Sequence, residues 1–211
     1  MKGNLIIITS PSGGGKGTLI KAVLEAVPHI GYSVSYTTRD PRKGEEEGRD
    51  YFFVSVEEFE RLRSEGEFLE SATVHGKFYG TSKTQVENIT AAGYDVILEI
   101  DVQGAKEVLS KMPESVSIFI MPPSFEVLRA RLTKRATEKA MDLELRLRNS
   151  FTEVRDYTGF QYVVVNEQLE QATAEMRWII LAERLRTNRQ SDAISSILSN
   201  FDISKYNLIG D

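Results

Sequence analysis

The 211-residue sequence contains no cysteine and only two histidines, His29 and His75. Without thiols there is no disulfide framework, no thiol nucleophile and no thiolate metal site, which fits a reducing compartment. The two histidines lie far apart and neither stands in a ligand-spaced motif, which argues against a zinc centre. Long apolar runs are missing too. The longest, Leu5–Ile8, Val116–Met121 and Trp178–Ala182, fall well short of the roughly 20 residues of a membrane-spanning helix. The amino terminus lacks the charged, apolar and small-residue order of a signal peptide. Basic charge is not in excess either. With 26 Lys+Arg and 31 Asp+Glu the net charge is −5, so no basic field for bulk nucleic-acid binding is expected. What remains is ordinary globular composition, 41% apolar and 27% charged. The expectation is a cytoplasmic protein with neither a membrane nor a nucleic acid as partner.

The apolar pattern changes period along the chain. Leu5–Ile8 reads as a buried strand, and Leu19, Ile20, Val23, Leu24 and Val27 recur at helical spacing. Strands follow at Asp95–Ile100, Val116–Met121 and Tyr162–Val165, with helices at Val102–Met112, after Ser124, and over Leu169–Arg186. A further helix carries Leu143, Leu147, Phe151 and Val154 on one face. Continuous apolar strands alternating with helices predict an α/β fold whose parallel sheet is covered on both sides. Between Ser33 and Gly80 the rhythm differs, with shorter and more polar strands at Ser33–Thr38, Tyr51–Val54, Glu67–Val74 and Lys77–Gly80. The capping box Ser55-x-x-Glu58 opens one helix there, and Ser82 with Gln85 opens the next.

The strongest local signal is Ser10-Pro-Ser-Gly-Gly-Gly-Lys16-Gly-Thr18, set between a buried strand and an amphipathic helix. This is the context a P-loop demands. Glycines let successive backbone N–H groups converge on phosphate oxygens, the helix N-terminus adds its positive end, and Lys16 supplies a point charge. The pattern departs from the usual one at two places, Ser10 in place of Gly and Gly17 in place of Ser or Thr. With no hydroxyl at position 17, Mg²⁺ would be held through nucleotide phosphates and water.

The segment from Ser33 to Tyr51 contains Arg39, Pro41, Arg42 and Arg49. Pro41 stiffens the turn, so that both Arg39 and Arg42 can face one dianion; a solvated basic loop offset by Glu45–Glu47 is the alternative. Taken with the P-loop, these residues resemble the guanylate kinases of bacterial type. The resemblance runs from about Asn4 to Arg186. It includes Ser35-x-Thr-Thr-Arg39-x-Pro-Arg42, Gly48-x-Asp-Tyr51, Glu67-Phe-Leu-Glu70, Phe78-Tyr79-Gly-Thr81, Ile97-Leu-Glu99-Ile-Asp101-Val-Gln-Gly104 and Val164-Val-Asn166, in that order. The family's Gly-Lys-Gly-Thr variant covers the departure at Gly17.

The resemblance implies a P-loop core over residues 1–32 and 82–187, a GMP-binding insertion over 33–81, and a helical lid within about 129–150. The tail 188–211 receives no task. ATP would lie along Ser12, Gly13, Gly14, Gly15, Lys16, Gly17 and Thr18, with Asn166 at the adenine. Arg39, Arg42, Tyr51 and Tyr79 would hold the GMP phosphate. Ser35, Glu70 and Thr81 would read guanine, and Glu99 would stand beside the GMP-side arginines. Asp101 is expected to organise Mg²⁺-bound water; a structural part for the acidic pair, capping the next helix or pairing with Arg39, is the alternative. Arg135 and Arg146 match the family's lid arginines and join Lys16 and Arg42 as the catalytic cations. Arg129, Arg131 and Arg148 read as a solvated helix face.

The implied activity is Mg²⁺-dependent transfer of the ATP γ-phosphoryl group to GMP, with dGMP as a second acceptor and room left for a homo-oligomer. Three rivals are weaker. A peptide-binding module of the same fold erodes the P-loop, which here keeps Lys16 and its glycines. A kinase for AMP conflicts with the Glu70/Thr81 pair. A hydrolytic switch needs a water-orienting residue, for which there is no clear candidate.

Overall fold

A computed structural model describes residues 2–74, 76–134 and 140–201, the side chains of 140–142 excepted. The first half of the chain forms β1 (Leu5–Thr9), α1 (Lys16–Ala26), β2 (Ile30–Tyr32), β3 (Tyr36–Thr37), β4 (Phe52–Phe53), α2 (Val56–Ser64), β5 (Phe68–Val74) and β6 (Lys77–Ser82). Then come α3 (Lys83–Ala91), β7 (Asp95–Glu99), α4 (Val102–Lys111), β8 (Val116–Met121), α5 (Phe125–Lys134), α6 (Ala140–Glu153), β9 (Tyr162–Val165), α7 (Leu169–Arg184) and α8 (Ser191–Leu198).

Five strands build one parallel sheet in the order β2-β7-β1-β8-β9. Strand side chains alternate between faces, so the unbroken apolar run of β1 serves two cores at once. Ile6 and Ile8 pack with Leu19 and Val23 of α1 and with Met176 and Ile180 of α7. Leu5 and Ile7 pack on the other side with Val86 of α3 and with Ala105 and Val108 of α4. Burial at roughly 25 cal/mol per Å² of apolar surface makes these two layers the main source of stability. The expected helix caps form: Ser55 Oγ accepts from Glu58 N–H (3.1 Å), Ser82 Oγ from Gln85 N–H (3.3 Å) and Ser124 Oγ from Val127 N–H (3.2 Å).

The second sheet, ordered β4-β3-β6-β5, lies wholly between Tyr36 and Ser82. Its own small core is aromatic, with Phe59 fully buried, 4.7 Å from the Phe68 ring, and Tyr36 stacked on Phe52 at 4.8 Å. Here the expected strand Ser33–Thr38 is corrected. The chain pairs with β7 through Ile30–Tyr32, leaves the main sheet after Ser33 N–H bonds Ile97 C=O, and re-forms a strand only at Tyr36. It changes sheets within three residues, so no single strand can span the segment.

Along α6 and the residue after it, Leu143, Leu147 and Val154 are half-buried, as are Arg146 and Glu153, whereas Phe151 is exposed, its ring centroid 4.5 Å from that of Phe125 of α5. Ser150 is the buried polar residue of this helix.

Candidate active site

Parallel strands place their loops at one end of the sheet. β1 and β7 are neighbours, so the loop Ser10–Gly15 after β1 and the segment Glu99–Asp101 at the end of β7 lie side by side. Thr9 Oγ1 donates to Ile100 C=O (2.8 Å), and Lys16 Nζ donates to the same carbonyl (3.0 Å). The ammonium is thereby parked between the two loops.

The glycine loop takes backbone angles that L side chains rarely adopt. Gly13 has φ 83° and Gly15, the N-cap of α1, has φ 87°. Space is equally short: a methyl group on Gly15 would stand 2.4 Å from Asn166 Nδ2. Two side chains clamp the loop from outside. Asn166 Nδ2 donates to Gly14 C=O (2.9 Å), and Arg131 donates both to Gly14 C=O (3.2 Å) and to Asn166 C=O (2.9 Å). Arg131 is therefore not a solvated charge, as the sequence suggested, but part of the loop's scaffold. Gly13, Gly15, Thr18, Arg131, Lys134 and Asn166 line an open cavity of about 480 Å³. Gly17 leaves open space around its Cα.

The polar face of α6 closes the other flank. Ser150 Oγ donates to Ser12 C=O (3.2 Å), and Glu153 Oε2 accepts from Ser12 N–H (3.0 Å). Arg146, one turn before Ser150, reaches the cavity that also holds Lys16. Nothing in the sequence singled out Glu153, whose carboxylate occupies a loop amide. Arg135 lies outside the described residues.

That cavity, about 250 Å³, is lined by Ser12 and Lys16 from the loop and by Arg146 from α6. Glu99 and Asp101 from the end of β7 line it as well, and so do Ser35, Arg42, Tyr51, Glu70 and Tyr79 from the second unit. It joins all three parts of the chain. A roomier hollow of about 410 Å³, bordered by Gly3, Phe68 and Met112, lies at the amino-terminal end of the strands. It contains none of the expected site residues, and the smaller cavity is the one with chemistry.

Within it, Glu70 is buried and accepts a hydrogen bond from the buried Thr81 hydroxyl, 2.6 Å from Oε1. Burial, with the charges of Asp101 and Glu107, pushes its carboxyl up to about 7, against the opposing hydrogen bond from Thr81. Thr81 does not reach the cavity surface; its hydroxyl is spent on Glu70. Tyr32 OH donates to Glu99 Oε2 (3.3 Å), and burial, followed by the nearby Glu99 charge, raises its phenol. Burial with the same neighbour pushes Tyr51 up to about 12.

Arg42 lines the cavity, whereas Arg39 stands one layer back. The Arg39 guanidinium lies 5.2 Å from the Tyr51 ring centroid and donates to Glu45 Oε1 (2.9 Å). Glu45 Oε2 accepts the Arg42 N–H (2.7 Å), so one acid ties the two arginine positions together. Asp101 caps α4 through Gly104 N–H (2.8 Å to Oδ1) while still bordering the cavity.

The guanylate kinase family profile matches residues 2–183. The guanylate kinase of Methylobacillus flagellatus is 50% identical over 190 residues, spanning 90% of this chain and 94% of that protein. That of Geobacter sulfurreducens is 45% identical over 198 residues, 94% of this chain and 98% of that protein. A crystal structure of guanylate kinase from Anaplasma phagocytophilum shares the fold with a TM-score of 0.76 at 41% identity, over 89% of each chain.

Proposed function

The chain belongs to the guanylate kinase family, and on that footing we propose how its residues divide the work of ATP + GMP → ADP + GDP. The single observation that carries the reading is the cavity shared by Lys16, Arg42, Arg146 and Glu70. One nucleotide enters along the glycine loop and the other from the second unit, so their phosphates meet beside three cations.

A GMP phosphate oxygen attacks the γ-phosphorus in line. A bond forms between that oxygen and phosphorus while the bond to the β-phosphate oxygen breaks, and ADP keeps the electron pair. No side-chain base is required, because the attacking phosphate already carries the charge. The protein contributes positioning and neutralisation. Lys16 leaves the Ile100 carbonyl for the β- and γ-phosphates, Arg42 orients the GMP phosphate with Tyr51 and Tyr79, and Arg146 answers charge on the transferred group. Arg39 fixes Tyr51 and the loop around Glu45. Arg135 is assigned to the same closing lid on the resemblance alone.

Glu70 reads the base. Guanine N1–H and N2–H are donors that match two carboxylate oxygens, and Ser35, which lines the same cavity, would donate to O6. Adenine presents an acceptor at N1 and would leave Glu70 facing a lone pair, a penalty of several kcal/mol in a buried site. Thr81 acts through Glu70 by fixing its rotamer. Residues 33–81 form the GMP-binding unit and α5–α6 the lid.

The donor set at the end of β7 fits Mg²⁺ bound with ATP. Glu99 and Asp101 offer hard oxygens, and among the described residues no cluster of three or more acids and histidines forms a dedicated cage. The ion, held by nucleotide phosphates and by water on Asp101, would supply Lewis-acid neutralisation at the β- and γ-phosphates.

A coupled assay of ADP release tests the reading, with ATP against GMP, dGMP, AMP, CMP and UMP. Turnover is expected with GMP and dGMP and not with the other three; AMP turnover comparable to that with GMP would contradict the role given to Glu70. Lys16→Met should abolish transfer and leave the fold intact.

A further inference from the structure

Glu70 is held from two sides, and on one of them there is no side chain. Gly104, buried in the first turn of α4, lies so near that a methyl group on its Cα would stand 2.7 Å from Glu70 Oε2 and 3.2 Å from Glu70 Cδ. On the other side the Thr81 hydroxyl fixes Oε1. The backbone does not ask for glycine here. Gly104 is absent from the positive-φ positions and lies within a helix, where alanine is the better residue. Its lack of a side chain therefore does something other than permit the fold.

A side chain at position 104 must displace something, and the alternatives differ in cost. Moving α4 would pull the fully buried Ala105 and Val108 out of their core, disturb the Asp101 cap and break the bond from Lys111 Nζ to Leu69 C=O (2.9 Å). Swinging the end of Glu70 needs rotation about side-chain bonds and loosening of the Thr81 hydrogen bond, with no movement of the backbone. The carboxylate is the part that yields.

We infer that Gly104 is a specificity-determining position: its bare Cα sets where the Glu70 carboxylate lies, and so how that carboxylate meets the N1–H and N2–H edge of guanine. Gly104 is a positioning residue: Glu70 lines the cavity and Gly104 stands behind it. The inference rests on the reading of Glu70 given above.

Gly104→Ala is the test, measured beside Glu70→Gln and the double variant. The alanine variant should keep its Tm, the helix preference for alanine offsetting the loosened Thr81 bond, increase KM for GMP at least tenfold and leave KM for ATP within twofold. Its preference for GMP over IMP, which lacks the 2-amino group, should collapse. In the Glu70→Gln background the same alanine should change KM for GMP less than twofold, because the two substitutions act through one contact. An unchanged KM for GMP in Gly104→Ala, with Glu70→Gln impaired, overturns the position while the reading of Glu70 stands. A lower Tm with equal losses for both nucleotides assigns Gly104 to the fold and overturns the inference as well. If Glu70→Gln itself leaves GMP unaffected, the reading of Glu70 fails and the role of Gly104 falls with it.

Discussion

Arg131 and Asn166 meet on one oxygen, the carbonyl of Gly14, at 3.2 and 2.9 Å. Since Arg131 also holds the Asn166 carbonyl, an arginine from α5, the end of β9 and the glycine loop form one closed hydrogen-bonded unit. Charge-assisted hydrogen bonds of this kind contribute about 1.5–3 kcal/mol. Arg131→Ala should therefore raise KM for ATP roughly tenfold or more, with KM for GMP changed less than twofold. Steady-state kinetics with each nucleotide varied in turn checks the split.

The elevated Glu70 carboxyl makes recognition of GMP depend on pH. Guanine donors favour the ionised acid, so binding lowers its pKa and expels a proton wherever the unliganded protein carries one. Affinity for GMP should weaken as pH falls below about 7, approaching tenfold per pH unit. Glu70→Gln should remove this component and leave only the titration of the GMP phosphate. The effect on the unliganded fold has the opposite sense. A carboxyl raised above its ordinary value stabilises the folded state most below that ordinary value, and this contribution is lost as pH rises through about 7.

Thr81→Val removes the hydrogen bond that opposes the upward push on Glu70. The midpoint of the GMP pH profile should move to higher pH and the Kd for GMP should rise, with ATP binding unaffected. Calorimetric binding across pH 5.5–8.5 gives both quantities.

Arg184 holds the buried Asp95 at 2.7 Å, while Asp95 also accepts the Asn4 N–H at 2.6 Å. This ties the end of α7 to the edge where β1 and β7 begin, far from the cavity. Removing one partner of a buried pair costs about 3–5 kcal/mol, and partial exposure of Arg184 places it near the lower end. Arg184→Ala should lower the Tm by roughly 6–12 °C with KM for both nucleotides unchanged. Differential scanning calorimetry on the protein without nucleotide measures it.

Four of the five strands of the main sheet were legible in the sequence because β1, β7, β8 and β9 are continuous apolar runs, and its helices carry a 3.6-residue period; the edge strand β2, Ile-Gly-Tyr, has no such run and was not legible. The glycine loop was legible because backbone convergence on phosphate needs glycine at fixed places. The register of the second unit was less so, since Ile30–Tyr32 and Tyr36–Thr37 are short, adjacent and in different sheets. Helix α6 was legible as a helix, but the contacts of Ser150 and Glu153 with the glycine loop, and the place of Arg146 at the cavity, join residues distant in sequence. Arg131 and Gly104 were missed because their importance lies in contacts with Gly14 and Glu70, distant in sequence, and no local period announces such pairs.

A crystal structure with GMP and a non-hydrolysable ATP analogue bound together tests the central claim most directly. Guanine N1 and N2 are expected within about 3 Å of the Glu70 carboxylate, with the triphosphate along Gly13–Thr18 and Lys16 withdrawn from Ile100. Guanine seated away from Glu70 and Ser35 would contradict it.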